Sequence, residues 1–340
     1  MKLIGMIKTL LTLKLINLEI KLMNIKLAKT INLELSSLAL EHEQFKEALN
    51  KSKALLNRQE FGLTPSGFFL SGPSGTGKTT LLNEITKNGH DLYGPDSVIH
   101  TTLTGSTNFT QIITSILTAA KDPLPQNGTG NNKLERLIKS LLSRGTRLVI
   151  IDEFQHMLAA KTISPKILND AANAIKSIMD KSGASFIIAG TADIVSLWDF
   201  DYQLRTRFQS PSSFTPFHYP ENQKDWGGIV KAFEKTINKQ GVSIECSGLP
   251  HRLFTATHGN MRSVVSILKE AVVNAISNDS LIISDDELNQ ATQVVMDSSD
   301  GNLKAFTDSA DKIKLYAGSI PRVLEVAPRA PSLNSLLSQS

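Results

Sequence analysis

Cysteine is almost missing. Cys246 is alone among 340 residues, so an internal disulfide framework is excluded, and no Cys/His cluster has the spacing of a zinc module. This chemistry suits a reducing, cytoplasmic compartment. Long hydrophobic runs are missing too: Lys2, Lys8, Lys14, Glu19, Lys21, Lys26, Lys29 and Glu34 break up the apolar leader. No stretch reaches the roughly 7–15 residues of a secretory core or the roughly 20 of a membrane span. An excess of one charge is also lacking, since 36 basic and 32 acidic residues leave +4. Ten basic and six acidic residues fall within 1–60, so the remainder is neutral overall. Charge alone therefore argues weakly for nucleic acid, and any such contact has to come from a local groove or from several subunits together. With 21 Gly, 13 Pro and 41% hydrophobic residues, collagen-like, disordered and coiled-coil classes are excluded. A soluble globular protein of one large or two modest domains remains.

The leader, residues 1–40, is ambiguous in period. Leu11, Leu13 and Leu15, then Ile16, Leu18, Ile20 and Leu22, alternate as strands do, whereas Leu15, Leu18, Leu22 and Ile25 form a helical stripe. A helix packed on its own domain or a neighbour is favoured over one lying on an anionic membrane surface. From Pro321 onward, prolines and serines without periodicity read as a disordered tail within a C-terminal extension, residues 301–340.

Between these ends the chain carries chemistry. The short apolar run Gly67–Ser71 leads into Gly72-Pro73-Ser74-Gly75-Thr76-Gly77-Lys78-Thr79, and Thr80–Lys87 continues as a helix. Strand, Gly-rich loop, helix is the arrangement in which backbone N–H groups and a helix N-terminus cradle polyphosphate. Lys78 reaches the β- and γ-phosphates, Thr79 offers a hydroxyl to Mg²⁺, and Thr80 at the helix start is a further nucleotide-binding candidate. A partner acidic strand end is expected, and Arg147–Glu153 supplies one. Four apolar residues are followed by Asp152, placed for the metal, and Glu153, placed to polarise the attacking water. Val98–His100 and Ser185–Thr191 complete a set of buried strands, with Thr191 at a strand end where it would sense the γ-phosphate. Helix-like composition over 109–120, 132–144 and 165–181 alternates with these strands. The fold class expected over 41–219 is therefore a three-layer α/β domain on a parallel sheet. Residues 220–300 read as a small helical lid, in which Val264, Val265, Leu268, Val272 and Ile276 share a face. Gln155 and His156 follow the acidic pair without an assigned role. Trp198 and Trp226 read as core residues.

In order, GPSGTGKT, LVIIDEFQHML, FIIAGTAD, QLRTRF and HGNMRSVVSILKEA resemble an AAA+ ATPase. More narrowly, Asp152-Glu153-Phe154-Gln155-His156, and Ala-Gly-Thr followed by Gln203–Phe208, are similar to the TniB/TnsC family of ATP-dependent regulators of DNA transposition. The resemblance spans residues 41–293. It implies that Thr191 is the sensor-1 residue, Arg207 the arginine finger with Arg205 its competitor, and Arg262 the sensor-2 arginine. It also implies an ATP- and Mg²⁺-dependent homo-oligomer, ring or filament, on double-stranded DNA without sequence preference. A transposase and a target-selection protein are the implied partners. The polar loop 101–108 and Lys121 are the candidate DNA contacts. Two alternatives stay open: a nucleotide-gated scaffold with little hydrolysis, and a membrane-associated assembly ATPase using the basic leader.

Overall fold

The computed structural model describes residues 2–40, 42–105, 108–158, 165–195, 202–219, 221–296 and 304–320. Trp198 and the tail from Pro321 lie outside them, as do Ser106 and Thr107 of the polar loop. The chain divides into two compact units. One consists of described residues between 42 and 215, and the other joins residues up to 40 with 216–320.

The first unit is built on five strands: β1 (Gly67–Ser71), β2 (Val98–Thr102), β3 (Leu148–Asp152), β4 (Ser185–Gly190) and β5 (Ser212–Ser213). Their order is β2-β3-β4-β1-β5 and every pairing is parallel. Every residue of β1, β3 and β4 is buried, which is why these segments are continuous apolar runs rather than alternating ones. One face of the sheet presents Phe69, Val149, Ile151, Phe186 and Ile188. They pack with α4 (Phe109–Ala119), α5 (Gly130–Arg144) and α7 (Pro165–Ser182) through Ile112, Ile116, Leu137, Leu141, Ile175 and Met179. The alternate residues Phe68, Leu70, Ile150 and Ile187 point to the other face, where α2 (Glu43–Asn57) lies against β4 and α3 (Lys78–Tyr93) against β2. The result is the three-layer α/β arrangement expected. Register sets the strand ends level: Ser71 pairs with Gly190 and Ile151 with Ile188, so the loops after β1, β3 and β4 emerge side by side.

The second unit is mostly helical. It contains α1 (Lys2–Ser37), α9 (Gln223–Asn238), α10 (Leu249–Thr257), α11 (Met261–Ser277), α12 (Asp285–Val295) and α13 (Ala310–Ser319), with a parallel pair β6 (Ser243–Ile244) and β7 (Ile282–Ile283). Trp226, Phe233, Phe254, Leu268 and Val272 form its centre, and the Trp226 indole N–H donates to Pro250 O at 2.7 Å. Both ends of the described chain belong to this unit. α1 is a single helix whose Ile31 and Leu35 are buried in this core. Residues 304–320 pack there as well. Ala305, Phe306, Ala317 and Ile320 belong to the same core, and the buried Arg252 guanidinium donates to Ala305 O at 2.8 Å and Asp308 O at 3.0 Å. The boundary expected after residue 219 falls instead between residues 215 and 216. Earlier in α1, Leu15, Leu18, Leu22 and Met23 are 55–65% exposed. Among the described residues, no helix is long and apolar enough to cross a membrane.

Candidate active site

The loop between β1 and α3 folds as its residues dictate. Gly77 caps α3 with φ +100°, a left-handed conformation costly for residues with a Cβ. Gly72 meets the residue that follows β5 so closely that a Cβ there would lie 2.0 Å from Phe214 O. Between them, the Thr76 hydroxyl donates to Pro73 O at 3.0 Å. The Lys78 ammonium, on a residue only 7% exposed, donates to Gly72 O at 2.6 Å and Pro73 O at 2.8 Å. Its charge is thus drawn over the loop, next to the positive end of a 16-residue helix, making the concavity a receptor for anions.

Asp152, 1% exposed, ends β3 beside this loop. Its Oδ2 accepts from the Thr79 hydroxyl at 2.9 Å and its Oδ1 accepts from the Glu153 N–H at 2.8 Å. Among the described residues, no three His, Cys, Asp or Glu side chains converge on a metal position. A cation here would be held by one carboxylate, one hydroxyl and substrate phosphates, which is the mode that suits Mg²⁺. The residues therefore fit the ion. Nearby, burial pushes the His100 imidazole below its usual range, the Asp152 carboxylate opposing that shift.

Glu153 has φ +57°, unusual for a residue with a side chain. The turn throws its carboxylate out from the strand end, where it accepts a close hydrogen bond from Gln155 Nε2. Gln155 Oε1 in turn accepts from the Thr191 N–H at 3.2 Å. Thr191 caps β4, and its hydroxyl donates to Asp193 at 3.4 Å. Gly72 N–H donates to Gly190 O at 3.1 Å, tying the start of the loop to that same strand end. His156 lies in the short α6 (Gln155–Leu158), and its N–H donates to Glu153 O at 3.1 Å.

Lys78, Thr79, Asp152, Glu153 and Thr191 are thus gathered by three parallel strand ends. Arg207 is not among them. It ends α8 (Tyr202–Arg207), and its neighbour Phe208 bridges to Gly67 at the opposite end of β1 from the loop. Four strand rises, roughly 13 Å, separate Gly67 from Ser71. The Arg207 guanidinium pairs with Asp180, at 2.9 Å from Nη2 and 3.3 Å from Nε. Arg205 is exposed on α8, and Arg262 is exposed in the first turn of α11 in the other unit.

A five-stranded parallel sheet with a Gly-rich loop, a Thr–Asp pair and a strand-end glutamate defines an AAA+ P-loop ATPase, an ATP-binding and ATP-hydrolysing enzyme. Solved structures agree on the fold. The Aeropyrum pernix ORC2 protein in its ADPNP–ADP complexes is 18% identical with a TM-score of 0.60, covering 76% of this chain and 70% of its own. Cdc6p from Pyrobaculum aerophilum is 17% identical with a TM-score of 0.56, covering 76% and 68%. The Aeropyrum pernix ORC1 protein in complex with DNA is 17% identical with a TM-score of 0.56, covering 77% and 67%. No curated protein matches. A family profile described as "Bacterial TniB protein" matches residues 35–216, more than half of the chain, and the protein belongs to the TniB family.

Gln155 and Gly190 are the site residues that motif spacing does not single out as a pair. Their contact arises from the register of β3 against β4, which no local pattern encodes.

Proposed function

We propose that this protein hydrolyses ATP with Mg²⁺ as an oligomer on double-stranded DNA, and that it regulates transposition by selecting targets and recruiting a transposase. The observation that carries the ATPase part is the convergence of Lys78, the Thr79–Asp152 pair and Glu153 at adjoining strand ends. The transposition part is supported by membership of the TniB family. The DNA part is supported by the same membership and by the fold shared with the Aeropyrum pernix ORC1 protein, which was solved in complex with DNA.

In this mechanism the residues divide the work. Gly72, Pro73, Ser74, Gly75, Thr76 and Gly77 wrap the phosphates, with Lys78 opposing the β/γ charge and Thr80 in the first helical turn. Mg²⁺, when bound, supplies neutralisation of the developing phosphate charge. Thr79 and Asp152 hold it. Glu153 orients the attacking water and accepts its proton as the γ-phosphoryl group transfers in line. Thr191 reads the γ-phosphate from the end of β4, and Arg262 is given the role of nucleotide sensor by the family resemblance alone. Arg207, remote from its own site, serves the neighbouring subunit's site, where a guanidinium stabilises transition-state charge.

The test is ATP turnover of wild type, Lys78→Ala, Glu153→Gln and Arg207→Ala, with and without random-sequence duplex DNA, alongside electron microscopy of Glu153→Gln with ATP and DNA. The expected outcome is DNA-stimulated turnover, lost in all three variants, and assemblies on DNA in Glu153→Gln. Turnover indifferent to DNA, without assembly, removes the DNA role and keeps the ATPase. DNA assembly without turnover in wild type leaves only a nucleotide-gated scaffold.

A further inference from the structure

Glu153 alone does not determine where its carboxylate points. Its backbone lies in the left-handed region, the following Phe154 is fully buried with its N–H donating to Ala189 O at 2.9 Å, and the glutamate side chain leaves the sheet edge from that turn. One group visibly fixes its orientation: the Gln155 amide, with Nε2 on Glu153 Oε2 and Oε1 on the Thr191 N–H. The opposite amide orientation would set oxygen against carboxylate and NH₂ against N–H, so the two partners dictate it. Gly190 leaves the space for this amide. A Cβ there would lie 2.4 Å from Gln155 Oε1 and 2.8 Å from Ile194 Cγ2. The Gly190 carbonyl also holds the first loop residue through Gly72 N–H.

We propose that Gln155 is a positioning residue for hydrolysis: its amide clamps the Glu153 carboxylate to the end of β4, so that the water-activating oxygen is held in register with Thr191 and the phosphate loop. The inference rests on the reading of Glu153 as the group that activates water. A carboxylate held through one oxygen keeps the other free for water, and the same amide transmits any shift of Thr191 to that carboxylate. Gln155 touches no substrate in this role.

The test measures kcat, KM and nucleotide affinity of the full chain with ATP and Mg²⁺, in the presence of duplex DNA, for Gln155→Leu, Gln155→Glu, Gly190→Ala, the double variant Gln155→Leu/Gly190→Ala, and Glu153→Gln. Losing a partner that orients a reactive group costs about 10–100-fold, so kcat of Gln155→Leu falls by about that factor while KM and affinity stay within about 2-fold. Gln155→Glu, which faces one carboxylate with another, loses at least as much. Gly190→Ala lowers kcat by displacing the amide, and it keeps the test open if Gln155→Leu does not fold. The double variant is no worse than the poorer single one, because both break the same clamp. A merely structural glutamine would instead lower affinity and thermal stability together with kcat. Wild-type or higher kcat in Gln155→Leu, with Glu153→Gln inactive, overturns the clamp alone. Turnover surviving in Glu153→Gln overturns the reading of Glu153 and the clamp with it. Losses that multiply in the double variant also contradict the clamp.

Discussion

Gly72 shows how a single missing side chain positions a site. Its φ of +155° and its approach to the Phe214 carbonyl let the loop bend back, so that its own carbonyl meets the Lys78 ammonium. Gly72→Ala would put a methyl group against backbone that cannot move aside. Overpacking of this kind costs about 1–3 kcal/mol, so the denaturation midpoint falls and nucleotide affinity falls with it. Unchanged stability measured by urea titration would contradict the packing. At this scale the sequence is most informative: Lys78, Thr79, Asp152 and Glu153 are recognisable because phosphate and metal chemistry fixes their spacing along the chain. Gln155 is visible in sequence only as a polar residue after an acidic pair. Its meaning comes from Gly190 and Thr191, some 35 positions on, brought beside it by sheet register.

Among the elements, β1, β3 and β4 are legible because burial on both faces demands unbroken apolar runs. The two-residue β5, Ser212–Ser213, carries no such run, and only pairing with Leu70 and Ser71 makes it a strand. α1 is harder still. Its apolar residues support two periods at once, and what selects the helix is tertiary: Ile31 and Leu35 enter the core formed by α9, α10 and α11. The same partnership explains why residues 1–40 do not stand apart. Leu35→Ala removes a side chain that is 1% exposed, and a buried Leu→Ala change costs about 2–5 kcal/mol. Chemical denaturation of the full chain is expected to show that loss in the helical unit, and a ΔΔG below about 0.5 kcal/mol would contradict the packing of α1. The final folded segment follows the same logic, since the Arg252 guanidinium reaches Ala305 O and Asp308 O across more than 50 residues of sequence.

For the molecule as a whole, the arrangement of charge matters more than its sum. The site gathers Lys78, Thr79, Asp152 and Glu153, yet Arg207 sits at the other end of β1, paired with Asp180. Both partners of that pair are partly exposed, 33% and 52% at the side chain, and such pairs contribute about 0–1 kcal/mol. Moving Arg207 to another partner exchanges these partly exposed contacts, and the bond from Nη1 to Gln203 O at 3.3 Å, for new ones. Arg207 thus lies away from the Lys78–Glu153 cluster of its own subunit, which is what the proposed completion of the site by a neighbour requires. Mixing Glu153→Gln with Arg207→Ala tests this most directly, with ATP turnover measured for each variant alone and for the mixture on duplex DNA. The account predicts two inactive proteins whose mixture recovers turnover, because an intact Glu153 on one subunit meets an intact Arg207 on the next. A mixture as inactive as its components, or Arg207→Ala turning over at the wild-type rate alone, would contradict it.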